Sequence, residues 1–124
     1  MNVYIIRHTA PDVPQGTCYG QTDVPLKETF KTEAQAVKDS IPNIRFDAVY
    51  SSPLSRCRLL ADYCGFRTPR LDNRLKELNS GRWEMLRYED IDDPYISHST
   101  RELTVIFAFH NSAKSFVALA ARWH

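Results

Sequence analysis

The sequence predicts an α/β fold, a mostly parallel sheet with helices on both faces. Three observations carry this. Short apolar runs of strand length recur along the chain, and two of them stop at histidine or arginine. Stretches with helical hydrophobic spacing separate the early runs. The resulting order, strand, helix, strand, helix, strand, is the signature of right-handed parallel crossovers. At 124 residues, 43% hydrophobic, the chain fits one domain (1–124) that buries a core without staples.

The elements follow in order. Val3 to Ile6 is apolar on both side-chain parities, as in a central strand covered on both faces. It stops at Arg7-His8, and a stretch rich in Pro, Gly and Thr runs to Pro25, an ordered loop or tethered lid. From Leu26 the period changes. Leu26, Phe30, Ala34, Val37 and Ile41 share a helical face opposite Lys27, Glu28, Lys31, Glu33, Lys38 and Asp39, and Pro42 ends the helix. Phe46 to Tyr50 reads as a second strand. It leads into Ser51-Ser52-Pro53, where Ser52 can cap a helix and Pro53 suits its first position. Leu54, Cys57, Ala61 and Cys64 then form one stripe, with Gly65 as the stop. Arg70 to Asp72 is a third extended piece, Leu103 to Phe109 a later strand, and Ala113 to Ala121 a closing helix. Asp90 to Thr100 is polar and aperiodic and carries no assignment.

Charge narrows the function. With 16 basic and 15 acidic residues the net charge is +1, which argues against nucleic acid or a membrane surface as partner. No apolar run approaches the ~20 residues of a membrane span. Met1 to Ile6 lacks the basic-then-apolar layout of a signal peptide. The three cysteines are odd in number and lack metal-ligand spacing, so a reduced, cytoplasmic protein is expected. Cys57 and Cys64 read as small core residues.

Ligands of open parallel sheets collect at the carboxyl ends of the strands. Arg7-His8, Ser51 to Arg56 and His110-Asn111-Ser112 all follow predicted strands, and Glu77 follows the third extended piece. That set suits phosphoryl transfer. A neutral imidazole is a competent nucleophile, and a phosphohistidine splits hydrolysis into two easier steps. Arginine forks match phosphate oxygens and stay charged while charge redistributes. The helix N-terminus beside Arg56 offers N–H groups to an anion. A carboxylic acid protonates the leaving oxygen, and its conjugate base then activates water. No metal and no cofactor is required.

Ile5-Ile6-Arg7-His8-Thr9, Cys18-Tyr19-Gly20-Gln21-Thr22-Asp23-Val24-Pro25-Leu26, Ser51-Ser52-Pro53-Leu54-Ser55-Arg56 and Glu77-Leu78-Asn79-Ser80-Gly81-Arg82-Trp83-Glu84 together resemble the histidine phosphatase superfamily (phosphoglycerate-mutase-like). The Cys-Tyr-Gly segment is most similar to its α-ribazole phosphatase branch. Each motif alone is weak; four in order are specific, and they span residues 1–90. The resemblance implies His8 as the phosphorylated nucleophile, Arg7 and Arg56 as phosphate-binding arginines and Glu77 as proton donor. Thr22 falls where the family places a hydroxyl or backbone contact near the phosphate. Thr9 stands where the family more often has glycine.

Residues 91–124 depart from the family, whose members are longer. His110, after Thr104 to Phe109, is the candidate for the second active-site histidine, although Asn111-Ser112 follow it in place of glycine. Either a middle segment has been lost, or the tail is truncated or frameshifted. By resemblance the substrate is a small phosphorylated metabolite, α-ribazole 5′-phosphate in cobalamin nucleotide-loop assembly. The alternatives are a non-catalytic descendant that binds phosphate ligands or a partner, and a phosphoglycerate-type mutase. A shortened fold should leave a sheet face or edge uncovered, which favours a homo-oligomer or marginal stability. Glu84 and Glu89 read as well as surface charges, His98 and His124 as solvent-facing, and Trp83 as a packing anchor. Tyr19 reads equally as a substrate contact or a core aromatic.

Overall fold

The computed structural model describes residues 2–92 and, beyond them, the backbone of the four later strands named below. The chain begins with β1 (Val3–Arg7), α1 (Phe30–Ser40), β2 (Ala48–Ser51), α2 (Ser55–Tyr63) and β3 (Arg70–Leu71). Three short 3-10 turns follow, at Asn73–Leu75, Gly81–Trp83 and Tyr88–Asp90. The later strands are β4 (Leu103–Thr104), β5 (His110–Asn111), β6 (Lys114–Ala120) and β7 (Arg122–Trp123). The main sheet runs β1-β6-β2-β3 with every neighbouring pair parallel, and β5 pairs antiparallel with the start of β6. β4 and β7 form a separate antiparallel pair. The fold is α/β with a parallel sheet.

One stretch changes type. Residues 114–120, expected within a closing helix, form the central strand β6, with Val3 opposite Phe116 and Ala48 opposite Phe116 on its other side. Phe116 to Ala120 is apolar on both parities, and such a run cannot be told from a buried helix by periodicity. The slot between β1 and β2 decides, because only an extended segment satisfies the facing N–H and C=O rows of both. Of the expected strand Leu103 to Phe109, Leu103–Thr104 is extended; residues 105–109 lie outside the described residues, as do His98 and His124.

Among the described residues both helices cover the same face. β1 to β2 and β2 to β3 step in the same direction across the sheet, and right-handed crossovers that step the same way fall on the same side. Ile6, Ala34, Leu54, Cys57, Leu60 and Ala61 form the core there, flanked by Tyr4, Val37 and Phe46. Phe30 of α1 meets Tyr63 of α2 edge-to-face, with centroids 5.8 Å apart. The other parity of β1 is open: Val3 and Ile5 are 37% and 50% exposed. The expectation of a strand covered on both faces therefore holds only for the Tyr4–Ile6 side.

Helix α1 starts at Phe30, four residues later than the apolar spacing alone implied. Leu26 is used instead in an antiparallel bridge to Pro11. Ile41 ends the helix in an extended conformation before Pro42.

Candidate functional site

The carboxyl rim of the sheet is set by register. Arg7 lies opposite Ala120 and Ser51 opposite Leu119, so β1 and β2 end level, one strand apart, about 10 Å at normal sheet spacing. His8 follows β1 on the buried parity and is 5% exposed. Arg7 shares the parity of Val3 and Ile5 and is exposed. The His8 Nδ1 lies 2.7 Å from the Thr9 carbonyl oxygen. A carbonyl only accepts, so Nδ1 carries the proton and donates, and the lone pair resides on Nε2.

The loop after His8 is stitched into the rim from several sides. Asp12 N–H donates to the Pro25 carbonyl and Lys27 N–H to that of Ala10. Ala10 N–H also donates to Glu33 of α1 at 3.2 Å. Further on, Cys18 N–H donates to the Leu86 carbonyl and Met85 N–H to that of Cys18, each at 2.7 Å. The Pro- and Gly-rich stretch is thus an ordered loop, with Thr17, Cys18, Tyr19 and Val24 buried.

Arg56, on the first turn of α2, is wholly buried. Its guanidinium donates through Nη2 to the Gly20 carbonyl at 2.7 Å and through Nη1 to the Thr22 carbonyl at 2.9 Å. It lies over the Tyr19 ring, 5.3 Å from the centroid, so Tyr19 supports the arginine. Arg56 Nε is buried with no hydrogen-bond partner among the described residues, as is Thr9 Oγ1 beside His8. A buried unpaired donor costs about 1–3 kcal/mol, so Arg56 Nε retains hydrogen-bonding capacity for an acceptor.

Helix α2 is capped from outside. Asp23 accepts from the backbone N–H of Ser55 at 2.9 Å and from its hydroxyl. Ser52 Oγ accepts from Leu54 N–H one step earlier, at 3.3 Å. The helix N-terminus expected to bind an anion is therefore occupied at Ser55 by Asp23. Arg56, rather than the helix end, is left as the candidate anion-binding element.

Glu77 is 2% exposed. It is delivered by the 3-10 turn Asn73–Leu75, which Asp72 caps by accepting from Arg74 N–H at 2.9 Å. Hydrogen bonds from the Arg74 side chain and backbone hold the Asp72 carboxyl down at about 2. Glu77 Oε1 accepts from Leu78 N–H, and its carbonyl accepts from the Gln21 side chain, both at 3.0 Å. Gln21 thereby ties Glu77 to the loop that holds Arg56.

Sequence reading missed Glu84. Its carboxylate accepts from the backbone N–H groups of Gly20, Gln21 and Ser80 at 3.0 Å and of Thr22 at 3.2 Å, and from the Thr22 hydroxyl. Partial burial opposes the charge, but the bonds from Thr22, Ser80, Gln21 and Gly20 outweigh it and hold the carboxyl below its ordinary value. The Thr22 hydroxyl is thus directed to Glu84. Gly20 is forced by this packing, since a Cβ there would lie 2.0 Å from the Leu78 carbonyl oxygen and 2.5 Å from Glu84 Oε1. The signal available in the sequence was the Gly81-Arg82-Trp83-Glu84 motif itself.

His110 is not brought to this rim. It pairs with Ser115 at the start of β6, while the rim lies at Leu119–Ala120, about 15 Å further along at strand rise. It lies in β5, which pairs with the start of β6, rather than after a strand that ends at the rim, and this follows from the reassignment of residues 114–120. Among the described residues no three His, Cys, Asp or Glu side chains cluster to hold a metal ion. Cys57 lies in the core, where burial pushes its thiol up to about 12.

The model of the histidine phosphatase superfamily (branch 1) matches residues 3–124. The chain belongs to that superfamily. Solved structures agree with the assignment. A single-substitution form of TTHB049 from Thermus thermophilus is 30% identical with a TM-score of 0.64, over 74% of this chain and 52% of that one. A mycobacterial glucosyl-3-phosphoglycerate phosphatase is 31% identical with a TM-score of 0.64, over 73% of this chain and 44% of that one. The same enzyme with VO3 is 32% identical with a TM-score of 0.63, over 73% and 46%. The chain thus spans about half the length of these relatives. No curated protein matches it significantly. No helix among the described residues is long and apolar enough to cross a membrane.

Proposed function

We propose that this histidine phosphatase chain hydrolyses a phosphate monoester through a phosphohistidine at His8. The observation that carries the reading is the His8 Nδ1–H donated to the Thr9 carbonyl at 2.7 Å, which makes Nε2 the nitrogen that bears the lone pair, as a nucleophile requires. In the proposed reaction Nε2 bonds to phosphorus as the P–O bond to the alcohol breaks. Arg7 and Arg56 hold the phosphoryl oxygens, and Glu77 gives its proton to the departing alkoxide. Water then attacks the phosphohistidine, losing a proton to Glu77, and phosphate and neutral His8 are released. The residues supply the positive charge and the proton without a cofactor.

The substrate is a small phosphorylated metabolite. The Cys18-Tyr19-Gly20 to Leu26 segment favours α-ribazole 5′-phosphate, and the mycobacterial relative makes a phosphorylated glucosyl-glycerate the competing candidate. Initial rates on both esters and on 4-nitrophenyl phosphate test this. Turnover that disappears in His8→Ala supports the mechanism, and equal turnover in that variant refutes it.

A second reading, a phosphate-binding descendant without turnover, rests on the end of β6. Leu119 and Ala120 flank the rim there, and the register leaves His110 at the far end. Saturable vanadate binding in a folded chain that hydrolyses no ester would favour it.

A further inference from the structure

We infer that Glu84 is a positioning residue for Arg56, acting through a single peptide group, an inference that rests on the phosphate-binding reading above. The Gly20–Gln21 peptide carries the coupling. Its carbonyl oxygen, from Gly20, accepts from Arg56 Nη2 at 2.7 Å, and its N–H, from Gln21, donates to Glu84 Oε1 at 3.0 Å. A guanidinium and a carboxylate thus sit at opposite ends of one amide dipole. Each charge polarises the amide toward the other, which strengthens both bonds at this partly buried rim.

The neighbouring groups repeat the arrangement. Thr22 gives its N–H and hydroxyl to Glu84 and its carbonyl to Arg56, and Gly20 gives its N–H to Glu84. The loop is a layer of peptide between two opposite charges that never touch. Among the described residues the guanidinium hydrogen-bonds to neutral carbonyls and to no carboxylate, so no direct ion pair cancels its charge there. Arg56 Nε, buried and without a hydrogen-bond partner among the described residues, stays available to an anion.

Glu84 itself is fixed from behind. Ser80 N–H donates to it at 3.0 Å, and Met85 adopts a φ of +65°, a left-handed conformation that a non-glycine residue adopts at a cost of about 1–2 kcal/mol. The bonds between Met85 and Cys18, and between Cys18 and Leu86, hold that turn in place.

The test uses the whole chain as wild type, Glu84→Gln and, as control, Glu89→Gln. The glutamine keeps the shape of Glu84, removes the charge and turns an NH2 toward N–H donors. The direct readout is the 15N–1H resonance of Arg56 Nε, with the amides of Cys18 and Met85 reporting that the loop remains folded. In Glu84→Gln the Arg56 signal should shift or broaden while the Cys18 and Met85 amides stay. Inorganic phosphate should bind at least tenfold more weakly, and kcat on a phosphomonoester should fall more than KM rises. Glu89→Gln should match wild type in all three. An Arg56 resonance and a phosphate affinity within twofold of wild type in Glu84→Gln would overturn the inference. If wild type neither binds phosphate nor turns over ester, the functional reading fails, while the Arg56 resonance still decides the coupling. If Glu84→Gln does not fold, Glu84→Asp replaces it under the same criteria, with the expected changes smaller in size.

Discussion

Gly20→Ala is a sharp perturbation, because the added methyl has nowhere to go. Its carbon would stand 2.0 Å from the Leu78 carbonyl oxygen, and side-chain carbons essentially never approach closer than 3.0 Å. The Leu78 oxygen is backbone, so either it or the Gly20 loop must yield by about 1 Å or more. The bond from Arg56 Nη2 to the Gly20 carbonyl is 2.7 Å, and a movement of that size takes it out of hydrogen-bond range. Loss of a bond from a charged donor is worth about 1.5–3 kcal/mol, and overpacking typically adds about 1–3 kcal/mol. Relaxation shares the two costs, so a net loss near 3 kcal/mol is expected, a fall in Tm on the order of 10 °C for a chain of this size. Trp83, next to Glu84, provides the fluorescence signal for thermal and urea melts. Gly65→Ala is the control. It has φ +93° and nothing within 4 Å of the added carbon, so it should lose only the cost of that conformation, about 1–2 kcal/mol. A Gly20→Ala midpoint equal to that of Gly65→Ala would refute the packing argument.

The remaining expectations concern caps, thiols and acid. Asp23→Ala removes the cap of α2 and should destabilise the chain by about 1–2 kcal/mol, read as a lower urea midpoint with unchanged m-value; no change would mean Ser52 caps unaided. Cys18 and Cys57 are buried and Cys64 is half-buried, so a thiol reagent should label Cys64 first in the native chain and all three in urea. Prompt labelling of Cys57 would contradict its raised pKa. The lowered Glu84 carboxyl makes its contribution fully present above the ordinary carboxylate range and lost as pH falls through the depressed folded value. The acid side of the stability curve should therefore flatten in Glu84→Gln, and a parallel curve would count against the hydrogen bonds that Glu84 accepts from Gly20 to Thr22.

Much of the fold was legible because its signals are local. The Phe30 to Ile41 face and the Leu54 to Cys64 stripe carry a helical period, and Val3 to Ile6, apolar on both parities, is set apart by its strand length and its stop at Arg7-His8. His8, Arg56 and Glu77 were singled out by four motifs in order, none of them specific alone, and all three side chains are buried. What stayed hidden depends on distant partners. Residues 114–120 read as helix until β1 and β2 claim their hydrogen bonds, and that reassignment carries His110 away from the rim. Glu84 looked like a surface charge because its partners, Gly20 to Thr22, lie some 60 residues earlier. Asp23 as the cap of α2 was invisible for the same reason, its helix lying 32 residues on.

Rapid-quench mapping of the phosphoenzyme tests the central claim most directly. After brief mixing with a radiolabelled phosphomonoester, one acid-labile, base-stable phosphate should appear on the peptide that contains His8. Label on a different residue, or hydrolysis with no phosphoenzyme at any quench time while ester is turning over, would contradict the account.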